Sequence, residues 1–68
     1  MKLNIKEIGQ RVKLLRNQQN LTQEQLAELA GISTHYVYEI EAGVKTMSCP
    51  ILAAIACSLH TSADYLLF

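Results

Sequence analysis

The chain has 68 residues and a mass of 7.6 kDa, room for a single small domain over residues 1–68, which excludes a two-domain enzyme. Half of its residues are apolar and 18% are charged, too hydrophobic for a disordered tail and too interrupted for a membrane span. Six Lys and Arg balance six Asp and Glu, so the totals do not describe a generally basic nucleic-acid binder.

The charges are unevenly placed. Through Leu21, Lys2, Lys6, Arg11, Lys13 and Arg16 stand against Glu7, a net of +4; beyond it Lys45 stands against Glu24, Glu28, Glu39, Glu41 and Asp64, a net of −4. Opposed blocks in so short a chain can pair across a folded domain, the plainer reading, or steer a partner. Cys49 and Cys57 reach no metal-ligand spacing with His35 and His60, so the two thiols are expected to be reduced packing residues, with no metal and no cofactor. Lys2 to Gln10 alternates charge with apolar residues at helical spacing rather than forming a leader, so a cytoplasmic protein is expected. A core this small leaves little margin after conformational entropy is subtracted, which makes dimerisation an expectation from the outset.

Helix starts are written repeatedly along the chain as an apolar residue, a capping side chain, and a second apolar residue five positions after the first. They are Leu3, Asn4 and Ile8; Leu21, Thr22 and Leu26; Ile32, Ser33 and Val37; Met47, Ser48 and Leu52. Glu7 after Asn4 and Gln25 after Thr22 have the spacing of reciprocal capping boxes. A fifth start at Ser62 lacks the leading apolar residue but has Asp64 in its first turn, where a carboxylate suits the helix dipole.

After each start apolar residues recur at three and four: Ile5, Ile8, Val12 and Leu15; Leu26, Leu29 and Ala30; Val37 and Ile40; Leu52, Ile55, Ala56 and Leu59. No stretch alternates like a half-buried strand, and Pro50 falls in the first turn of the fourth helix, where a missing N–H costs little. Connections at Gln18 to Leu21, Gly31 to Ser33, Gly43 to Met47 and His60 to Thr61 are short enough to force neighbours together. The expected fold class is all-α, with five packed helices.

Residues 22–42 have the spacing of two helices crossing at a tight turn. Ala27 is small enough to be crossed, Gly31 can take the positive φ of a sharp bend, and Val37 with Ile40 can seat the second helix on the first. With Ile8-Gly9-Gln10-Arg11, Leu15-Arg16, Leu21-Thr22-Gln23, Leu26-Ala27-Glu28-Leu29-Ala30-Gly31-Ile32-Ser33, Ile40-Glu41 and Gly43, this pattern resembles the XRE family, the Cro/cI-type, lambda-repressor-like helix-turn-helix domain. Ser48, Leu52, Ile55-Ala56, Leu59, Ser62, Asp64 and Leu66-Leu67 carry the resemblance through nearly the whole chain.

The resemblance implies a sequence-specific, double-stranded DNA-binding transcriptional regulator that docks its third helix in the major groove, commonly as a homodimer on a palindromic operator. Residues support the same mechanism independently, because seating Val37 and Ile40 turns Thr34, His35, Tyr38, Glu39 and Ala42 outward. Gln23 in the first turn of the second helix is the best-placed phosphate contact, where free amides and the dipole attract an anion; a solvated helix start is its plainer alternative. The resemblance implies base contacts at Ser33, Thr34, His35 and Glu39. Thr34 can meet a thymine methyl, His35 can donate to guanine, and Glu39 can accept from a cytosine amino group or remain a plain exposed charge. Tyr36 is expected to pack and Tyr38 to contact DNA. Arg16 and Glu41 match a structural salt bridge of the family.

Departures from the family pattern are Ala42, Val44, Met47 and His60. Ala42 and Val44 remove backbone contacts and leave Lys45 as the cation of the loop after the reading helix, so a shallow salt dependence is expected. His60 stands where glycine usually ends the fourth helix and would need a left-handed backbone or another cap. Leu66 is expected in the core, and Tyr65 and Phe68 at a two-fold interface that sets two reading helices about 34 Å apart. Repression by occlusion is the expected activity, with no small-molecule effector and no membrane involved. The rival is a protein-interaction module of the same fold, an antirepressor or antitoxin-like component. Catalysis is not expected, because the Ser, His and carboxylate residues assemble no nucleophile, base and orienter.

Overall fold

The computed structural model describes residues 3–68; Met1, and Lys2 of the basic block, lie outside the described residues. Five helices follow one another: α1 Ile5–Gln18, α2 Gln23–Ala30, α3 Thr34–Glu41, α4 Cys49–Ser58 and α5 Ala63–Leu67. No strand occurs among the described residues, as the unbroken three-to-four periodicity requires.

Capping chemistry sets the starts, with two corrections. Thr22 and Gln25 form the complete capping box, the Gln25 N–H donating to Thr22 Oγ1 at 3.0 Å and the Thr22 N–H to Gln25 Oε1 at 2.8 Å. Ser33 and Ser62 accept from the Tyr36 and Tyr65 N–H groups, each at 3.1 Å. Asn4 caps α1 by accepting from Lys6 and Glu7, but the expected return bond from Glu7 is missing, because its carboxylate faces Arg11 one turn on, at 3.7 Å. Ser48 occupies the N-cap of α4 without a side-chain bond, and Pro50 at the second helical position removes one of the two N–H groups such a cap ordinarily accepts from.

The helix ends share one closure. Asn20, Gly31, Gly43 and His60 all have positive φ, between 55° and 76°. The residue after each donates its N–H to the carbonyl five positions earlier: Leu21 to Arg16, Ile32 to Ala27, Val44 to Glu39 and Thr61 to Ala56, at 3.0–3.1 Å. This is the Schellman pattern, which satisfies carbonyls that a helix end would otherwise leave bare. His60 therefore adopts the left-handed backbone instead of a different cap, and Asn20 does the same unannounced.

Val12, Leu26, Ala27, Val37, Ile40, Ile55, Ala56, Leu59 and Leu66 form the core, with Leu15, Tyr36, Met47 and Leu52 packed around it. Leu29 departs from its periodic assignment and is 60% exposed; α2 buries Leu26 and Ala27 and leaves Leu29 in a shallow surface cleft beside Ala54 and Cys57 of α4. Cys49 and Cys57 are free, as expected, yet exposed rather than packed, because Ile55 and Ala56 take the inward side of α4. Of the opposed charge blocks, the described residues join across the divide in one ion pair, Arg16 with Glu41.

Gly9 lets α1 lie against the end of α3. A Cβ there would run into the Ile40 carbonyl oxygen and stand 2.9 Å from that of Glu41, both backbone atoms. Gly9→Ala is therefore expected to destabilise the fold by about 1–3 kcal/mol, although alanine improves helix propensity by about 1 kcal/mol, as read from urea midpoints. His60→Gly should act in the opposite sense, raising stability by about 1 kcal/mol through relief of left-handed strain, which thermal unfolding will measure.

Candidate nucleic-acid interface

Burying Val37 and Ile40 at 0% and 1% exposure fixes the rotation of α3 about its own axis. Thr34, His35, Tyr38 and Ala42 are then exposed and Glu39 is half-buried, while Ser33, exposed as well, spends its side chain capping the helix. The α3 N-terminus thus carries a contiguous polar face, free to enter a groove roughly 12 Å wide. His35 and Tyr38 lie side by side on it, their ring centroids 6.1 Å apart and nearly parallel.

Glu39 is not a bare carboxylate. Its oxygens stand 3.6 Å from His35 Nε2 and 3.6 Å from Lys45 Nζ, so Lys45 offsets part of the repulsion a phosphate backbone would feel. Tyr36 packs against the core, donates its hydroxyl to the Thr46 carbonyl at 3.3 Å, and holds the Lys45 ammonium 4.9 Å from its ring centroid. Lys45 is therefore placed beside the outward face of α3 by both an aromatic ring and a carboxylate.

The support beneath this face is an ion pair taken out of water. Arg16 and Glu41 are 8% and 9% exposed; Arg16 Nε and Nη2 donate to the two Glu41 oxygens at 2.7 and 3.0 Å, the parallel geometry that guanidinium and carboxylate favour. Arg16 Nη1 also donates to the Leu21 carbonyl at 2.7 Å, so one side chain ties α1 to the entry of α2 and the end of α3. Gln23 joins the group: its Nε2 donates to Glu41 Oε1 at 3.1 Å, so its side chain is tied to α3 rather than simply solvated at the helix start.

Lys13 had no role in the sequence reading. It is exposed and lines a shallow cleft with Gln23, Tyr38, Glu41 and Ala42, bringing a cation to the α2 N-terminus. Its signal was spacing, for Lys13 lies between Gly9 and Arg16 at four and three residues, the stripe of α1 that meets α3. Tyr65 and Phe68 lie apart from this face, 50% and 59% exposed, with Leu66 between them fully buried. Arg11 donates to the Leu66 carbonyl at 3.2 Å and so fastens the end of α5 to α1.

Comparison with known proteins agrees with this geometry. The Helix-turn-helix family model matches residues 12–66. The control protein C.SmaI of Serratia marcescens is 38% identical over 66 residues, 96% of this chain and 79% of that protein. The restriction-modification controller protein C.AhdI from Aeromonas hydrophila superposes with a TM-score of 0.89 at 32% identity, covering 93% of this chain and 96% of its own. The P22 c2 repressor, solved in complex with a synthetic operator, gives a TM-score of 0.87 at 25% identity over 98% and 96% of the two chains.

Breaking the buried pair from one side leaves an uncompensated charge. Arg16→Met alone is expected to cost about 3–5 kcal/mol, whereas Arg16→Met with Glu41→Met should fall within about 1 kcal/mol of the original or exceed it; urea unfolding of the two variants makes the comparison.

Proposed function

Because the chain belongs to the helix-turn-helix family, we propose that it is a sequence-specific regulator of transcription that inserts α3 into the major groove of double-stranded DNA and represses by occlusion. The observation that carries the proposal is the outward polar face of α3, held at a fixed rotation by the burial of Val37 and Ile40. Residues 1–68 act as one domain in this reading, in the cytoplasm and without catalysis; no described helix is long and apolar enough to cross a membrane.

Roles follow from position. Thr34 and His35, in the first turn of α3, meet base edges, with Ser33 beside them at the cap and Glu39 one turn on accepting from a cytosine amino group. Tyr38, Lys45 and Gln23 contact the phosphate backbone, and Lys13 joins them across the cleft it lines with Gln23. Such contacts orient the protein and carry the salt dependence, while the base contacts discriminate.

A homodimer on a palindromic operator is the favoured assembly. Tyr65 on α5 and Phe68 at its C-cap present half or more of their surface to water at a helix end pinned by Arg11, and a two-fold contact there would cover that surface. Selection of bound sites from random duplex DNA tests the function as a whole: recovery of a palindromic consensus supports it, and enrichment of no sequence refutes it.

Two variants test the parts. Thr34→Ala and His35→Ala should each lower specific affinity by about 1–3 kcal/mol with melting unchanged, since both side chains are exposed; mobility shift alongside thermal unfolding reads both. Phe68→Ser should move the sedimentation coefficient from dimer towards monomer, and an unaltered profile would remove Phe68 from the interface.

A further inference from the structure

Gln23 is the one residue of the proposed DNA-contacting set whose side chain bonds to a buried charge. Glu41 Oε1 receives two donors, Arg16 Nη2 at 3.0 Å and Gln23 Nε2 at 3.1 Å, while Oε2 is taken by Arg16 Nε at 2.7 Å. The carboxylate cannot swing, because both oxygens are committed to a guanidinium that is itself held by the Leu21 carbonyl. Gln23 sits in the first turn of α2, half-buried, and its amide carries a second N–H beyond the one given to Glu41. The cleft beside it is lined by Lys13, Tyr38 and Ala42.

We propose that Glu41 is a positioning residue for DNA binding: it fixes the Gln23 amide before DNA arrives, so that the remaining N–H, with Lys13 opposite, meets a backbone phosphate without further ordering. This rests on the DNA-binding reading above. A long polar side chain loses rotamer freedom when a ligand immobilises it; here that loss occurs on folding. The buried ion pair then does two things, joining α1 to α3 and setting the geometry of a contact on α2. Gln23 still donates to phosphate, but from a fixed orientation.

A double-mutant cycle separates the two roles. The paired change Arg16→Met with Glu41→Met removes the acceptor while leaving no unpaired charge; binding to a selected duplex is measured in the original and Gln23→Ala backgrounds, at temperatures where unfolding shows every variant folded. Gln23→Ala is expected to weaken binding, and the Met pair to weaken it about threefold to tenfold with Gln23 present and not at all in its absence. Equal losses in both backgrounds would mean a structural role only and overturn the proposal, as would full affinity for Gln23→Ala.

Side-chain nitrogen relaxation of the unaltered protein gives a second measurement that needs no variant. Gln23 Nε2 should be ordered in the free protein and change little when DNA is added, unlike the exposed Gln10 and Gln18. A Gln23 amide as mobile as theirs, rigid only in the complex, overturns the proposal. Absence of any specific complex with the unaltered protein refutes the DNA-binding reading itself, and both then fall together.

Discussion

A carboxylate near the end of α3 and the guanidinium that α1 sends to it lie out of water, and through them the end of α3 is tied to the first helix and the entry of the second. Arg16 is a single side chain with three engaged nitrogens, so the first helix, the entry to the second and the end of the third share one anchor. Taking such a pair out of water is costly, and apolar residues of similar size often serve stability equally well. What apolar residues lack is direction. A bidentate pair has one geometry, and it fixes α3 at the end where Gly9 already allows the two backbones to come close.

Around that anchor the division of labour is clean. Val37 and Ile40 point inward and bear the packing; Thr34, His35 and Tyr38 point outward and contribute nothing to the core. The rotation of an eight-residue helix is thus decided by two aliphatic side chains. Tyr36 bridges the two sets, since its ring packs inward while its hydroxyl and π-face hold the following loop, carrying Lys45 and Thr46, against α3.

The number, order and starts of the helices were legible in the chain because each rests on local chemistry, a capping oxygen and a repeat of three and four. What was not legible was competition between neighbours. Glu7 could close a capping box or pair with Arg11, and spacing permits both; Ser48 stands at the cap of α4, yet its side chain makes no bond there. Leu29 satisfies the helical repeat but depends on how far α4 extends across α2, a tertiary matter. Of the proposed interface, the outward face of α3 followed from periodicity alone. The Gln23 bond to Glu41 joins residues eighteen apart on different helices, and the placement of Lys13 depends on how α1 crosses α3. The first leaves no local trace, and the second leaves only the spacing of Lys13 between Gly9 and Arg16.

The repeated closure at Asn20, Gly31, Gly43 and His60 has a bearing on how such a chain can change over time. Each corner closes with the same hand and the same hydrogen bond, so an inserted or deleted residue there would break that closure and leave the last carbonyls of the helix bare. Exchange of side chains on outward positions leaves all four closures untouched. New target preferences can arise by such exchanges while the frame stays in register.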